Sequence, residues 1–236
     1  MSLAWSSGRS TARVRGRSEV GSPRSSGRRG TRRGRRWGAV RFLAWAAGAF
    51  GAGCLPSGPI VTRIVCAQRL EDLGDGKPGS ANVARSVGWK AGAAVLAMDA
   101  LKAYVPATAA RLDGAGDGRV AALGIVAMGG HIAVVRGRGA AAALGVAFAM
   151  DASMMAIGCV PLVGGTLLRR HAGAVAVTAL SLPLISLALH RSPRRALGPL
   201  ALIAVLFAAR LRGSPGAGRP TSRAQWWSRL WLDREA

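Results

Sequence analysis

The sequence predicts an all-α, polytopic integral membrane bundle of five to seven transmembrane helices behind a disordered, arginine-rich tail. Three observations lead there. Half of the 236 residues are apolar and the mean hydropathy is +0.25, although the formal net charge is +23. The charge is segregated: residues 1–36 hold eleven arginines and one acid, whereas residues 37–212 are dominated by Ala, Val, Leu and Gly. Strand-like alternation is absent, and apolar runs approach the roughly 20 residues that a bilayer crossing needs. A soluble domain of this size carries more acids and more polar faces. The expected organisation is a tail (1–36), a bundle (37–212) and a C-terminal tail at the membrane interface (213–236).

Each element follows from its own run. Residues 38–66 form the first span, broken near Pro56-Ser-Gly-Pro59. Residues 67–87 are a polar loop. Residues 88–110 form the second span, which carries Asp99 and Lys102 and closes near Pro106. The stretch 111–118 is a turn cluster rich in Gly and Asp. Residues 119–135 are a short third run, punctuated by Gly137-Arg-Gly139. Residues 140–168 are the fourth, with Pro161 as the candidate break and Asp151 isolated inside it, without an assigned role. Residues 172–190 and 196–209 are the fifth and sixth, separated by the basic turn His190-Arg-Ser-Pro-Arg-Arg195. His171 reads as a loop residue. Abundant Gly and Ala within the spans allow close helix packing in lipid. The C-terminal Gln225-Trp-Trp-Ser-Arg-Leu-Trp-Leu232 sets Trp beside Arg, a pattern suited to the membrane–water interface.

The tail has three readings: an arm on anionic lipid headgroups, a translation start placed too early, and nucleic-acid binding. Nucleic acid is disfavoured as a partner, because the arginines lack interleaved aromatics and a folded scaffold. Its arginines argue for a cytoplasmic N-terminus by the positive-inside tendency. The three cysteines, Cys54, Cys66 and Cys159, fit no zinc or disulfide spacing and read as small buried hydrophobes. No metal site is expected.

The chemistry concentrates in Gly74-Asp-Gly-Lys-Pro-Gly-Ser-Ala-Asn82-Val-Ala-Arg85, a glycine-rich cationic loop between two apolar segments. Glycines let backbone amides approach an oxyanion, and Lys and Arg supply charge. Lys77, Arg85 and Lys102 are the candidates for phosphate charge, and the amides of Gly74, Gly76 and Gly79 for close contact. Asn82 is placed to orient an acceptor's hydroxyls, Asp99 to pair with Lys102, and His131 and Arg138 to complete the opposite wall. Ionisable groups inside spans are functional by default. A plain structural ion pair is the competing reading for Asp99 and Lys102. The loop is not a Walker A, since no G-x-x-x-x-G-K-[ST] is present.

The order of motifs resembles the acyl-phosphate-dependent glycerol-3-phosphate acyltransferases of bacterial membranes, the PlsY family. The resemblance runs from about Gly53 to Arg212. Gly53-Cys-Leu-Pro-Ser-Gly58 stands where the family reads like G-S-I-P-[FS]-G, which brings Ser57 into the candidate substrate site. The loop 74–85 stands where it reads like G-S-G-N-P-G-A-T-N-V-x-R, followed by Gly88-Trp-Lys-Ala-Gly92 and Asp99-Ala-Leu-Lys102. Gly130-His131 leads, after a shortened spacer, to Arg136-Gly-Arg-Gly-Ala-Ala-Ala142, similar to G-H…G-G-K-G-V-A-T. Arg169-Arg-His-Ala is a faint echo of a late T-R-Y-x-S-L turn. Departures are Cys54 for Ser, Asp75 and Lys77 for Ser and Asn, and Arg138 for Lys; an acid at 75 repels phosphate unless it is paired.

The resemblance implies about seven transmembrane helices in the cell membrane and a site facing the cytoplasm. It also implies transfer of an acyl group from acyl-phosphate to glycerol 3-phosphate with no metal or nucleotide cofactor; Lys102, Asn82 and His131 are the catalytic candidates, and a monomer is expected. It places the N-terminus outside, against the arginine tail. Two further function classes remain: a homologue that binds anionic lipid or phosphate without catalysis, and a small transporter.

Overall fold

The computed structural model describes residues 38–213 and 218–232; the arginine-rich tail lies outside the described residues. Every regular element among them is helical, as the hydropathy pattern predicts. The first apolar run is two helices, α1 (Ala39–Gly53) and α2 (Ser57–Cys66), parted at Pro56. The polar loop is partly helical: a 3₁₀ turn over Leu70–Asp72 and the short α3 (Ser80–Ser86). Next come α4 (Trp89–Leu112) and α5 (Asp117–Gly130), the latter loosening into a π-turn over His131–Val135. Then follow α6 (Ala140–Met150), α7 (Ala152–Leu167), α8 (His171–His190) and α9 (Pro193–Arg212). The described residues end with α10 (Arg223–Trp227) and a π-turn over Ser228–Leu232. Among the described residues, Ala39–Cys66, Asp117–Val135 and His171–His190 are long and apolar enough to cross a membrane.

The fourth apolar run breaks at Asp151, not at Pro161, which sits inside α7. Asp151 leaves the helical conformation with φ −161° and accepts the Met154 amide at 2.9 Å, so it starts α7 as an N-cap. The residue that the sequence leaves isolated within a span is therefore a junction.

Helix α4 is the axis, packing on α1, α3, α5 and α6, while α7 pairs with α8 and α8 with α9. Contact is close because the facing residues are small. A methyl group on Gly145 of α6 would lie 2.0 Å from the Ala100 carbonyl oxygen of α4, and one on Gly53 of α1 would lie 1.9 Å from that of Ala127 in α5. The main core is Ala-rich and is filled by Leu123, Met128, Met154 and Met155. A smaller cluster of Val61, Leu70, Val83, Ala91 and Val95 seats the polar loop on α4.

One end of the bundle is laced by ion pairs. Arg111 pairs with Asp117 at 3.0 Å and caps α6 through the Ala149 and Met150 carbonyls. Arg195 lies 3.7 Å from Asp117 and 3.0 Å from His190 Nδ1. A guanidinium can only donate, so His190 Nδ1 accepts and its Nε2–H points to Asp151, its other partner. Asp113 joins α1 to the same end, paired with Arg41 and accepting Trp45 Nε1–H at 3.2 Å.

Candidate functional site

The opposite end holds a cavity of about 1050 Å³. The glycine loop forms one wall through Asp75, Lys77, Gly79, Asn82 and Arg85. The segment His131–Ala141 forms a second, and Arg169, His171, Arg210, Arg212 and Leu232 a third. Seven lining side chains are Lys or Arg, against the two carboxylates of Asp75 and Asp99. Such an excess around one concave surface selects anions.

Asp75 sits between two of these cations. Its Oδ2 is 3.0 Å from Arg85 NH2 and 3.9 Å from Lys77 Nζ, and its Oδ1 accepts the Lys77 amide at 3.3 Å. The acid is paired on both sides, which removes the repulsion its position alone implies.

Asn82 holds the loop. Its Nδ2 donates to the Leu73 and Lys77 carbonyls at 3.0 and 3.1 Å, and its Oδ1 accepts from the Asp75 amide and the Ser86 hydroxyl. This amide is committed to the backbone, in contrast to the expected role of orienting an acceptor. Gly79 borders the cavity, whereas Gly74 and Gly76 do not. Both adopt positive φ, and the Gly76 amide is already bonded to the Leu73 carbonyl. They shape the turn; the expected amide contacts are not on the wall.

Behind the cavity floor lies a buried polar cluster. Lys102 Nζ is 2.8 Å from Asp99 Oδ1 and donates at 2.9 Å to the Leu55 carbonyl in the α1–α2 break. A broken helix leaves carbonyls that need partners in an apolar setting, and Lys102 supplies one. The Ser57 hydroxyl donates to the same Asp99 Oδ1. His131 Nδ1 stands 3.8 Å from that oxygen, buried and without a hydrogen bond. Asp99 and His131 line the cavity; Lys102 and Ser57 stand behind them. The π-turn that starts at His131 ends on Arg136 in the left-handed conformation (φ 61°), bringing Arg136 and Arg138 to the wall. His131 is seated by Gly137, where a methyl group would lie 2.1 Å from Nε2.

Thus Lys77, Gly79, Asn82, Arg85, Asp99, His131 and Arg138 meet at one cavity, with Ser57 and Lys102 tied to it through Asp99. Sequence reasoning missed Arg136, Arg169, His171, Arg210 and Arg212. His171 is the first residue of α8, with its Nδ1 3.0 Å from Thr166 Oγ1, and not a loop residue. The available signal was that these cations fall at helix ends or turns on one side of the bundle.

A glycerol-3-phosphate acyltransferase of Syntrophotalea carbinolica is 37% identical over 111 residues, covering 44% of this chain and 57% of the relative. One from Geobacter sulfurreducens is 37% identical over 109 residues, covering 44% and 56%. The chain therefore spans little more than half the length of these curated relatives. The crystal structure of PlsY (YgiH), an integral membrane glycerol 3-phosphate acyltransferase, in its glycerol 3-phosphate form superposes with a TM-score of 0.62 at 25% identity, covering 72% of this chain and 88% of that one. Its lysophosphatidic acid form has the same fold, at a TM-score of 0.64 and 24% identity. The glycerol-3-phosphate acyltransferase family profile matches residues 43–214, most of the described bundle, and the chain belongs to that family.

Proposed function

We propose that this protein is a multi-pass enzyme of the cell membrane, acting as a monomer, that transfers an acyl group from acyl-phosphate to glycerol 3-phosphate. The carrying observation is one cavity with seven cationic side chains, continuous with the Ser57–Asp99–Lys102–His131 cluster. Family membership, and the glycerol 3-phosphate named for the similar PlsY structure, support the choice of substrates.

The reaction asks two things of the protein: two phosphorylated substrates held together, and charge stabilised as a hydroxyl attacks an acyl carbonyl. Lys77 and Arg85 hold one phosphate on the glycine-loop side. Arg136, Arg138 and Arg212 hold the other. The acceptor's 1-hydroxyl oxygen forms the new ester bond as the bond between the carbonyl carbon and the phosphate oxygen breaks, giving lysophosphatidate and inorganic phosphate. The hydroxyl proton passes to the His131 ring or to the departing phosphate. Asp99, fixed by Lys102 and Ser57, orients His131.

Purified protein given acyl-phosphate and glycerol 3-phosphate is expected to release phosphate and form lysophosphatidate, and Lys102→Ala to abolish both. Phosphate binding without release across donor chain lengths would instead mark a non-catalytic anion-binding relative. Uptake into liposomes without a covalent product would mark a transporter.

A further inference from the structure

The segment after α9 lies beyond the stretch that matches the family, yet it forms part of the cavity wall through Leu232. It starts at Ser222, whose hydroxyl accepts the Gln225 amide, and its two faces differ. One face is locked to the bundle by a reciprocal pair of buried arginines. Arg229 donates to the Leu211 carbonyl at 3.0 Å, while Arg210 of α9 donates to the Leu230 carbonyl and, at 3.2 Å, to that of Ala172. The other face is apolar and uncovered: Trp226 and Trp227 are 45% and 63% exposed. Trp227 packs at 5.3 Å against Trp231 with the rings tilted by 42°, and the exposed Arg219 and Arg223 precede the indoles in the chain.

The level of this face in the bundle says what covers it. Ala172 and Arg210 lie at the ends of α8 and α9, and α8 is a candidate span, so the clasp holds the segment where the bundle leaves the hydrocarbon. Indole rings beside cations at that depth match a bilayer surface carrying anionic headgroups. The segment itself is too short to cross.

We propose that Arg223–Leu232 is an interfacial clamp whose tryptophan face lies on anionic lipid and whose arginine clasp carries that contact to the third wall of the cavity. Arg210 and Arg229 are positioning residues in this arrangement.

Amide exchange of the full-length protein in nanodiscs tests this without reference to activity, so its outcome is separable from that of the acyl-transfer reading. In discs of phosphatidylglycerol, the amides of 223–232 are expected to exchange on the order of tenfold more slowly than in the Trp226→Ser/Trp227→Ser variant, with α4 unchanged as the control for folding. Replacing the lipid by phosphatidylcholine is expected to remove part of that protection. Equal exchange in the variant and the unsubstituted protein would overturn the proposal and leave the segment as an intramolecular strap. So would protection that is the same in both lipids.

Discussion

Lys102 Nζ lies 2.8 Å from Asp99 Oδ1, and both side chains are only 2% exposed. A carboxylate so little exposed loses its counter-charge when Lys102 is removed, so removing one partner costs more than the pair contributes. Lys102→Met is expected to destabilise the protein by about 3–5 kcal/mol. The double variant Lys102→Met/Asp99→Leu is expected to regain most of that stability while remaining inactive. Thermal unfolding in detergent and phosphate release, measured side by side, separate the two effects.

Gly137 borders His131 so closely that a methyl group would stand 2.1 Å from Nε2. Gly137→Ala is expected to displace the ring. Misplacement by about 1 Å costs on the order of a hundredfold in rate, so kcat should fall by that order with little change in KM. An unchanged kcat would remove His131 from the mechanism.

Asp75 competes with substrate for Arg85 and Lys77. Asp75→Asn is expected to lower KM for glycerol 3-phosphate by roughly two- to fivefold at low salt, with the gain shrinking as ionic strength rises. Exposed pairs add little to stability, so the unfolding temperature should hardly move.

Asp151 links acid stability to the far end of the bundle. Burial pushes its carboxyl up, but the Met154 amide, His190 and the Ser153 amide outweigh this and hold it below the ordinary 3.8. A carboxylate with a depressed folded value stabilises fully above its unfolded value and loses that contribution as pH falls through the folded one. The acid limb of the stability profile below about pH 4 should therefore flatten in Asp151→Asn. Asp151→Ala, which also loses the cap, is expected to cost about 1–2 kcal/mol at neutral pH.

The helices were legible because hydropathy depends only on composition along a run. The break in the fourth run was not, because two signals competed. A proline is tolerated within a membrane helix when neighbours satisfy the freed carbonyl. Asp151, by contrast, offers the amide of Met154 an acceptor, a cap visible in the sequence only once the helix start is known. The glycine loop was legible as a unit, but the division of labour inside it was not. Asn82 reads in sequence as a group that orients the acceptor's hydroxyls; only the folded turn shows its amide engaged by four backbone and hydroxyl groups. Arg136, Arg169, Arg210 and Arg212 were the least legible. They come from helix ends far apart in the chain, and their meeting is a property of packing rather than of spacing.

The close approach of Gly145 to the Ala100 carbonyl has a mechanical meaning. Ala100 adjoins Asp99, and α6 begins with Ala140 and Ala141 on the cavity wall. With backbone resting on backbone and no side chain between to yield, the two helices translate as a single strut. A shift of the cavity rim at residue 140 is therefore passed on toward Asp99 with no side chain between α6 and α4 at that point to absorb it.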